Sequence, residues 1–140
     1  MVVSMSQDSV FTKIIKGELP CYKIYEDNRV IAFLDIHPVT PGHTLVIPKQ
    51  QIDHIWDLSA EDYRAVMDVV CKVGQKLRTE IKDAARVGIQ VEGLDVPHAH
   101  VSVLPFSNSK QFRDIPDADQ PIDHSALEAM AARLQIKEVA

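Results

Sequence analysis

Apolar residues recur at three- and four-residue steps in two stretches of the chain, and this spacing predicts two helices. Over 10–15 they follow Asp8 or Ser9, either of which can cap a short helix that ends at Gly17. Over 60–83 the pattern follows a serine cap and two acidic residues, which favour the first turn of a helix. The apolar stripe of this longer helix consists of Tyr63, Val66, Met67, Val70, Val73, Leu77 and Ile81.

Five other stretches have the composition or the two-residue alternation of strands. Residues 22–26 and 30–34 are β-branched and aromatic runs separated by three polar residues, which predicts a hairpin with a tight turn. Residues 43–48 predict a third strand after a loop with two prolines and a glycine. Residues 86–92 and 97–104 alternate apolar and polar positions around a short glycine-containing link, which is typical of a second hairpin.

Strands, a long helix and further strands with short connections favour an α+β fold. We expect a mainly antiparallel sheet of about five strands with its helices on one face, and a single domain over 1–140. Residues 1–8 are expected to be flexible. In the C-terminal part, 105–140, the proline- and aspartate-rich stretch 105–124 predicts a loop, and 126–134 predicts a short final helix.

Charge and composition exclude several classes of function. The chain has 15 Lys and Arg against 20 Asp and Glu, a net charge of −5, and no run of more than two basic residues, which argues against a nucleic-acid partner. The first residues lack the pattern of a secretion signal, and no apolar run approaches the roughly 18 residues of a membrane span. We therefore expect a cytoplasmic protein without a membrane partner.

The two cysteines predict neither a disulfide framework nor a zinc ribbon. Cys21 and Cys71 lie fifty residues apart and belong to no Cys-x-x-Cys pair. Both are expected to be free thiols. Cys71 lies within the apolar pattern of the long helix, and free cysteine is usually buried, so we expect this side chain in the core.

The segment from Val96 to Pro105 contains the residues best suited to chemistry. On a strand, His98, His100 and Ser102 point to one face because successive side chains alternate. Their Cα atoms are then about 6.6 Å apart, so a phosphate lying along the row touches more than one of them. A neutral imidazole can attack phosphorus or carry a proton near neutral pH, and a hydroxyl can bind a phosphate oxygen.

The residues alone leave two other interpretations of this row open. Two histidines on the surface of a strand can be solvated and inert. They can also form a pair of metal ligands, although a closed zinc site needs four. The obvious further ligands are His43, Asp95 and the two thiols.

Several motifs, in order, resemble the histidine triad (HIT) family. The sequence VPHAHVSVLP is similar to the family's defining segment, His-φ-His-φ-His-φ-φ, where φ is apolar. Upstream, VFTKIIKGELP, VIAFLDIHP and PGHTLVIPK resemble its N-terminal half in residue type and spacing. The resemblance covers nearly all of 10–105 and favours the Hint-like branch, with Ser102 in place of the third histidine.

The resemblance implies a HIT fold and a hydrolase or transferase acting at the α-phosphate of nucleoside phosphoramidates, nucleotidyl-acylates or dinucleoside polyphosphates. His100 would be the nucleophile that forms a nucleotidyl-histidine, with His98, Ser102 and His43 as its catalytic neighbours. Asp35 would accept the ribose hydroxyls. The bound moiety would be a purine nucleoside monophosphate, no metal or other cofactor would be needed, and the chain would form a homodimer. The remaining nucleotide-binding positions implied by the family are Val10, Phe11, Ile14, Leu19, Phe33 and Ile36.

Alternatives remain for these residues. The apolar positions can equally belong to the core, and Asp35 can be a turn residue that binds its own backbone. Ser102 lacks an imidazole, and general acid or base groups are typically worth 10²- to 10⁴-fold in rate. Residues 93–96, Gly-Leu-Asp-Val, also depart from the family's Gly-Gln-Ser/Thr-Val and place Asp95 near the expected phosphate. A nucleotide- or protein-binding module with weakened catalysis is therefore the alternative function.

Overall fold

The computed structural model describes residues 7–137, which form one five-stranded antiparallel sheet with helices on both faces. The elements are α1 (Val10–Ile15), β1 (Lys23–Glu26), β2 (Val30–Leu34), β3 (Thr44–Pro48), α2 (Ala60–Glu80), β4 (Arg86–Gln90), β5 (Val101–Phe106), α3 (Ser109–Arg113) and α4 (His124–Leu134). The strand order is β1-β2-β3-β5-β4, so β1 and β4 are the edges. The α+β fold, the five antiparallel strands, the long helix and the short terminal helices are confirmed. The expectation that the helices lie on one face was wrong, because α1 packs on the face opposite α2 and α4.

The two faces of the sheet carry two separate apolar clusters. All residues of β2 and β3 are buried, so successive side chains enter opposite clusters. On one face, α2 and α4 cover the larger cluster, which includes Val46 and Val101. On the other face, the Phe11 ring of α1 packs with Phe33 and Leu45 in the smaller cluster. The histidine-rich segment runs along the second face.

Serine caps begin both α1 and α2. The Ser9 side chain accepts a hydrogen bond from the Thr12 amide, and Ser59 does the same for the Asp62 amide. Helix α1 ends at Ile15, and Gly17 follows the C-cap residue with a positive φ of 79°, which suits the residue after a helix C-cap. These contacts confirm the Ser9 alternative for the cap and the predicted end of the helix.

Several predicted boundaries were wrong. Strand β5 begins at Val101 rather than at 97, so His98 and His100 lie on the preceding loop. The predicted loop over 105–124 contains α3, which Asn108 caps through its side chain. Cys71 is exposed because it lies on the solvent side of α2, whereas the adjacent valines at 69 and 70 face the core.

The chain ends lie partly outside the described residues. Of the segment 1–8, which was expected to be flexible, only residues 7 and 8 are described. The Gln7 carbonyl accepts a hydrogen bond from Gln51, and Asp8 forms a 2.7 Å ion pair with Lys16. Within 7–137, no helix combines the length and apolar character needed to span a membrane.

Candidate active site

His98 is fully buried, and both of its ring nitrogens are hydrogen-bonded to the protein. Nε2 lies 2.8 Å from the carbonyl oxygen of Pro48, at the end of β3, and Nδ1 lies 2.7 Å from Ser9 Oγ. A carbonyl only accepts, so Nε2 carries the proton and Nδ1 accepts from the Ser9 hydroxyl. Burial lowers the pKa of His98, the Pro48 carbonyl opposes this, and His100 adds to it. His98 is therefore a neutral, fixed ring.

His100 is hydrogen-bonded at one nitrogen, and this leaves the other for chemistry. Its Nδ1 donates to the backbone carbonyl of His98 at 2.8 Å, so the neutral ring carries its proton there. The lone pair then lies on Nε2. The Phe11 ring meets the imidazole edge-on with centroids 5.0 Å apart. The partly exposed ring is thus fixed in tautomer and orientation, with a nucleophilic nitrogen available.

His43 presents a buried donor without a partner among the described residues. Its Nδ1 accepts from the Val39 amide at 3.2 Å, so Nε2 carries the proton in the neutral ring. Nε2 is buried, makes no hydrogen bond and lies 4.0 Å from Asp35 Oδ2. Burial lowers the pKa of His43, while Asp35 raises it and His100 lowers it further. An unsatisfied buried N–H is costly, which makes His43 a candidate for binding a ligand group.

Asp35 has features of both roles that the sequence left open. Its Oδ1 accepts from the His37 amide at 2.8 Å, which is a turn contact within the loop. Its other oxygen, Oδ2, faces His43. Asp35 thus holds the turn with one oxygen while the second can accept a ligand hydroxyl.

Ser102 lies on the same face of the sheet as the smaller apolar cluster. In the β5 register it stands opposite Leu45 on one side and Gln90 on the other. Directly opposite residues in antiparallel strands point to one face, so Leu45, Ser102 and Gln90 form a row across the sheet. The predicted alternation is therefore correct for Ser102, and Ala99 and Val101 enter the opposite cluster as expected.

The apolar residues assigned to a base slot divide into three groups. Phe11 and Phe33 are buried in the smaller cluster, with centroids 5.8 Å apart, and Ile14 packs against them. Ile36 instead lines a cavity of about 420 Å³ between its loop and α4. The structure does not place Val10 and Leu19 in the smaller apolar cluster, and both side chains are exposed.

Sequence reasoning missed four polar residues around the site. Thr12 and Gln51 form hydrogen bonds with Ser9, which was predicted only as a helix cap. Gln90, beside Ser102, donates to the carbonyl oxygen of Phe112 in α3. The Ser-x-x-Thr spacing at a helix start was a usable signal for Thr12, whereas Gln51 and Gln90 are brought near only by the fold.

A family model described as the HIT domain matches residues 16–109. The chain belongs to the HIT family. Among curated HIT relatives, an uncharacterized HIT-like protein of Borreliella burgdorferi is 40% identical over 109 residues, which cover 72% of this chain and 78% of the relative. The adenosine 5′-monophosphoramidase of Schizosaccharomyces pombe is 30% identical over 128 residues, which cover 91% and 96%.

The HIT fold is also found among solved structures. A HIT-like protein of Bartonella henselae, described as involved in cell-cycle regulation, superposes with a TM-score of 0.78 at 28% identity, covering 93% of this chain and 96% of that one. Both His98 nitrogens bind protein atoms, so this ring offers no nitrogen to a metal. Within 7–137, His, Cys, Asp and Glu side chains form no group of three or more that could bind a metal.

Proposed function

We propose that this HIT protein is a nucleotide hydrolase or transferase that cleaves at the α-phosphate through a nucleotidyl-His100 intermediate. The substrate class is nucleoside 5′-phosphoramidates, nucleotidyl-acylates or dinucleoside polyphosphates. The observation that carries the proposal is the hydrogen bond from His100 Nδ1 to the His98 carbonyl, which leaves the Nε2 lone pair free. The name of the S. pombe relative, which aligns over 91% of this chain, supports the same class.

The reaction has two displacements at phosphorus. The Nε2 lone pair of His100 forms a bond to the α-phosphorus while the bond from phosphorus to the leaving nitrogen or oxygen breaks. The leaving group takes its electron pair and a proton from solvent water. Water then attacks the phosphorus, the P–Nε2 bond breaks, and the water proton is lost as the nucleoside monophosphate is released. The imidazole is itself the nucleophile, so the covalent step needs no metal or other cofactor.

The neighbours of His100 bind and orient the nucleotide in this proposal. Ser102 and the unpartnered His43 Nε2–H bind phosphate oxygens, and Asp35 accepts the ribose hydroxyls through Oδ2. His98 supports the nucleophile through its carbonyl and does not itself exchange protons. A purine base binds beside the smaller apolar cluster of Phe11, Ile14 and Phe33, and the exposed Val10, Leu19 and Ile36 provide its further contacts.

The test is hydrolysis of adenosine 5′-phosphoramidate by wild type, His100→Ala and His54→Ala. His54 is a matched control because its side chain is 72% exposed and lies outside the cluster around His100. We expect His100→Ala to lose turnover while it still binds AMP and remains folded. We expect His54→Ala to keep the wild-type rate. Turnover by His100→Ala at the wild-type rate would rule out the proposed nucleophile.

Ser102 favours a second candidate, a HIT module that binds nucleotides but turns them over slowly. A hydroxyl occupies the position where the family motif has an imidazole, so an acid or base group is missing. In this case the wild type binds AMP and shows almost no hydrolysis. The experiment above separates the two candidates because binding and turnover are measured on the same protein.

The proposal extends to the assembly of the chain. Residues 1–140 constitute a single HIT-like domain, and two copies form a homodimer. Strand β4 is an edge of the described sheet, and Ile89 on this strand and Val91 just after it are each nearly half exposed. An apolar strand with unpaired backbone groups is stabilised by pairing with a second copy.

A further inference from the structure

Four polar side chains from three parts of the chain form a hydrogen-bonded cluster that includes His98. They are Ser9 and Thr12 at the start of α1, Gln51 after β3, and His98. Ser9 is 6% exposed and His98 is fully buried, so these groups depend on each other rather than on water. The family motif and the proposed function account for His98 and leave the other three without a role.

The direction of each hydrogen bond follows from the chemistry of its atoms. The Ser9 hydroxyl gives its only proton to His98 Nδ1 at 2.7 Å and accepts from the Thr12 amide at 3.0 Å. The Thr12 hydroxyl gives its proton to Gln51 Oε1 at 2.6 Å. The same oxygen accepts the Ser9 amide at 2.8 Å, and Gln51 Nε2 donates to the Gln7 carbonyl at 2.9 Å. Longer contacts of 3.3 and 3.4 Å join the Thr12 hydroxyl to Ser9 and His98.

We propose that Ser9 and Gln51 are positioning residues for His100, which they hold through His98. The inference rests on the proposed function. Ser9 fixes one nitrogen of His98 while the Pro48 carbonyl fixes the other, so the ring cannot rotate. The backbone carbonyl of His98 accepts the hydrogen bond from His100 Nδ1. Gln51 fixes Ser9 by accepting its amide.

The network also connects the nucleophile to the helix that carries the base-binding surface. The Phe11 ring on α1 lies edge-on to both imidazoles, with centroids 5.8 Å from His98 and 5.0 Å from His100. A shift of α1 therefore moves the apolar surface and the two histidines together. Ser9 fixes the position of α1 relative to the two histidines, because it is both the N-cap of α1 and the hydrogen-bond partner of His98.

Helix capping alone does not explain Ser9. A cap needs only an acceptor oxygen, and Ser59 fulfils this at the start of α2 from an exposed position. Ser59 is bonded to the Asp62 amide at 3.1 Å, away from the histidines. Ser59→Ala is therefore a matched control that removes a cap of the same kind without changing His98.

The experiment compares Ser9→Ala, Ser9→Thr and Ser59→Ala in single-turnover hydrolysis of adenosine 5′-phosphoramidate, at temperatures where all three are folded. Small misplacements of reacting groups cost up to about 100-fold in rate, and we expect Ser9→Ala to lower the rate of the chemical step about tenfold. Its affinity for AMP should stay within about twofold. Ser9→Thr, which keeps the hydroxyl, should restore the rate, and Ser59→Ala should not lower it. Gln51→Leu provides a second variant and should reproduce the effect of Ser9→Ala.

Nitrogen-15 NMR of the free proteins gives a readout that does not depend on turnover. Wild type and Ser59→Ala should show a slowly exchanging His100 Nδ1–H and a proton on His98 Nε2, whereas Ser9→Ala and Gln51→Leu should lose the His100 signal. An unchanged His100 signal in both variants, or equal rate losses in Ser9→Ala and Ser59→Ala, would overturn the positioning role. A wild type without turnover but with the expected NMR pattern would instead contradict only the proposed function.

Discussion

At the scale of single residues, two histidines two positions apart have different chemistry because of what surrounds their ring nitrogens. His98 has both nitrogens bound inside the protein, and its pKa is lowered mainly by burial. His100 has one nitrogen bound to a carbonyl, and its other nitrogen forms no hydrogen bond within residues 7–137. In the proposed reaction the first ring therefore supports and the second ring reacts, although the motif itself treats them alike.

In the proposed reaction, Ser102 lacks the imidazole that the family motif has at this position. We predict that Ser102→His, which adds an imidazole on the face shared with Leu45, raises the hydrolysis rate by about tenfold or more, since general acid or base groups contribute 10²- to 10⁴-fold. AMP affinity should change little. The measurement is single-turnover hydrolysis by wild type, Ser102→His and Ser102→Asn, the last being polar but neither an acid nor a base near neutral pH. Equal rates for the two variants would show that the third position is not limiting.

The sequence indicated which residues face the site but not how deeply each is buried. Alternation placed Ser102 and Val101 on opposite faces correctly, although β5 starts later than predicted. The burial of His98 could not be foreseen, because its partners Ser9 and Pro48 lie 89 and 50 residues away in the chain. Such contacts are set by the packing of α1 and β3 and have no local signature.

At the scale of elements, the turn before β3 places His43. Gly42 has a positive φ of 96°, which side-chain-bearing residues rarely adopt. A Cβ on Gly42 would lie 2.8 Å from the end of Ile81 and 2.9 Å from the end of Leu77. The glycine therefore allows the turn to lie directly on the C-terminal end of α2.

We predict that Gly42→Ala destabilises the protein by about 2 to 3 kcal/mol, combining backbone strain with steric overlap. Gly17→Ala is the control, because Gly17 also has a positive φ but a Cβ there meets nothing within 4 Å. We expect that variant to lose only about 1 kcal/mol. Urea unfolding of both variants measures the difference. Equal losses in the free energy of unfolding would show that overlap with α2 does not add to the destabilisation caused by Gly42→Ala.

The sequence predicted the long periodic elements better than the short ones. Helix α2 has a cap, an acidic first turn and an apolar stripe, so its start at Ala60 was clear. Helix α3 has only five residues, no apolar stripe and a proline-rich continuation. This helix is held by Phe112, whose ring packs against Gly88. The centroids of the Phe112 and Phe106 rings lie 4.7 Å apart. This packing is tertiary, and no local pattern predicts it.

At the scale of the whole molecule, the sheet separates a structural face from the face that carries the candidate site. Helices α2 and α4 cover the larger apolar cluster, while the second face carries α1 and the histidines. Buried neutral histidines make the stability of this arrangement depend on pH. Burial lowers the pKa of both His43 and His98 in the folded state.

We predict that the free energy of unfolding decreases as the pH falls below about 6.5, the ordinary pKa of histidine. In that range the unfolded chain binds protons that the folded His43 and His98 do not, so acid favours unfolding. Carboxylates whose pKa is lowered, such as Glu26 and Asp27, act only below about pH 4.5. Urea unfolding between about pH 7.5 and 5 measures the effect, and His98→Gln should reduce the slope. A stability that is constant or rises toward pH 5 would contradict the burial argument.

The proposed homodimer predicts a change of mass when the exposed edge is charged. Ile89→Lys places a charge on β4, where the side chain is nearly half exposed, and should convert a dimer into a folded monomer. Light scattering after size-exclusion chromatography measures the mass of both proteins. Ile115→Lys, at an exposed apolar residue outside β4, is the control and should remain dimeric. A monomeric wild type would refute the dimer. A dimeric Ile89→Lys would show that the dimer interface lies away from β4.

The central claim is that His100 Nε2 forms a covalent bond to the nucleotide. The most direct measurement mixes enzyme and adenosine 5′-phosphoramidate, quenches within one turnover under denaturing conditions that preserve P–N bonds, and locates any adduct by peptide mass spectrometry. We predict an adenylyl group on the peptide containing His100 in wild type and none in His100→Ala. Turnover without an adduct on His100, or an adduct that persists in His100→Ala, would contradict the account.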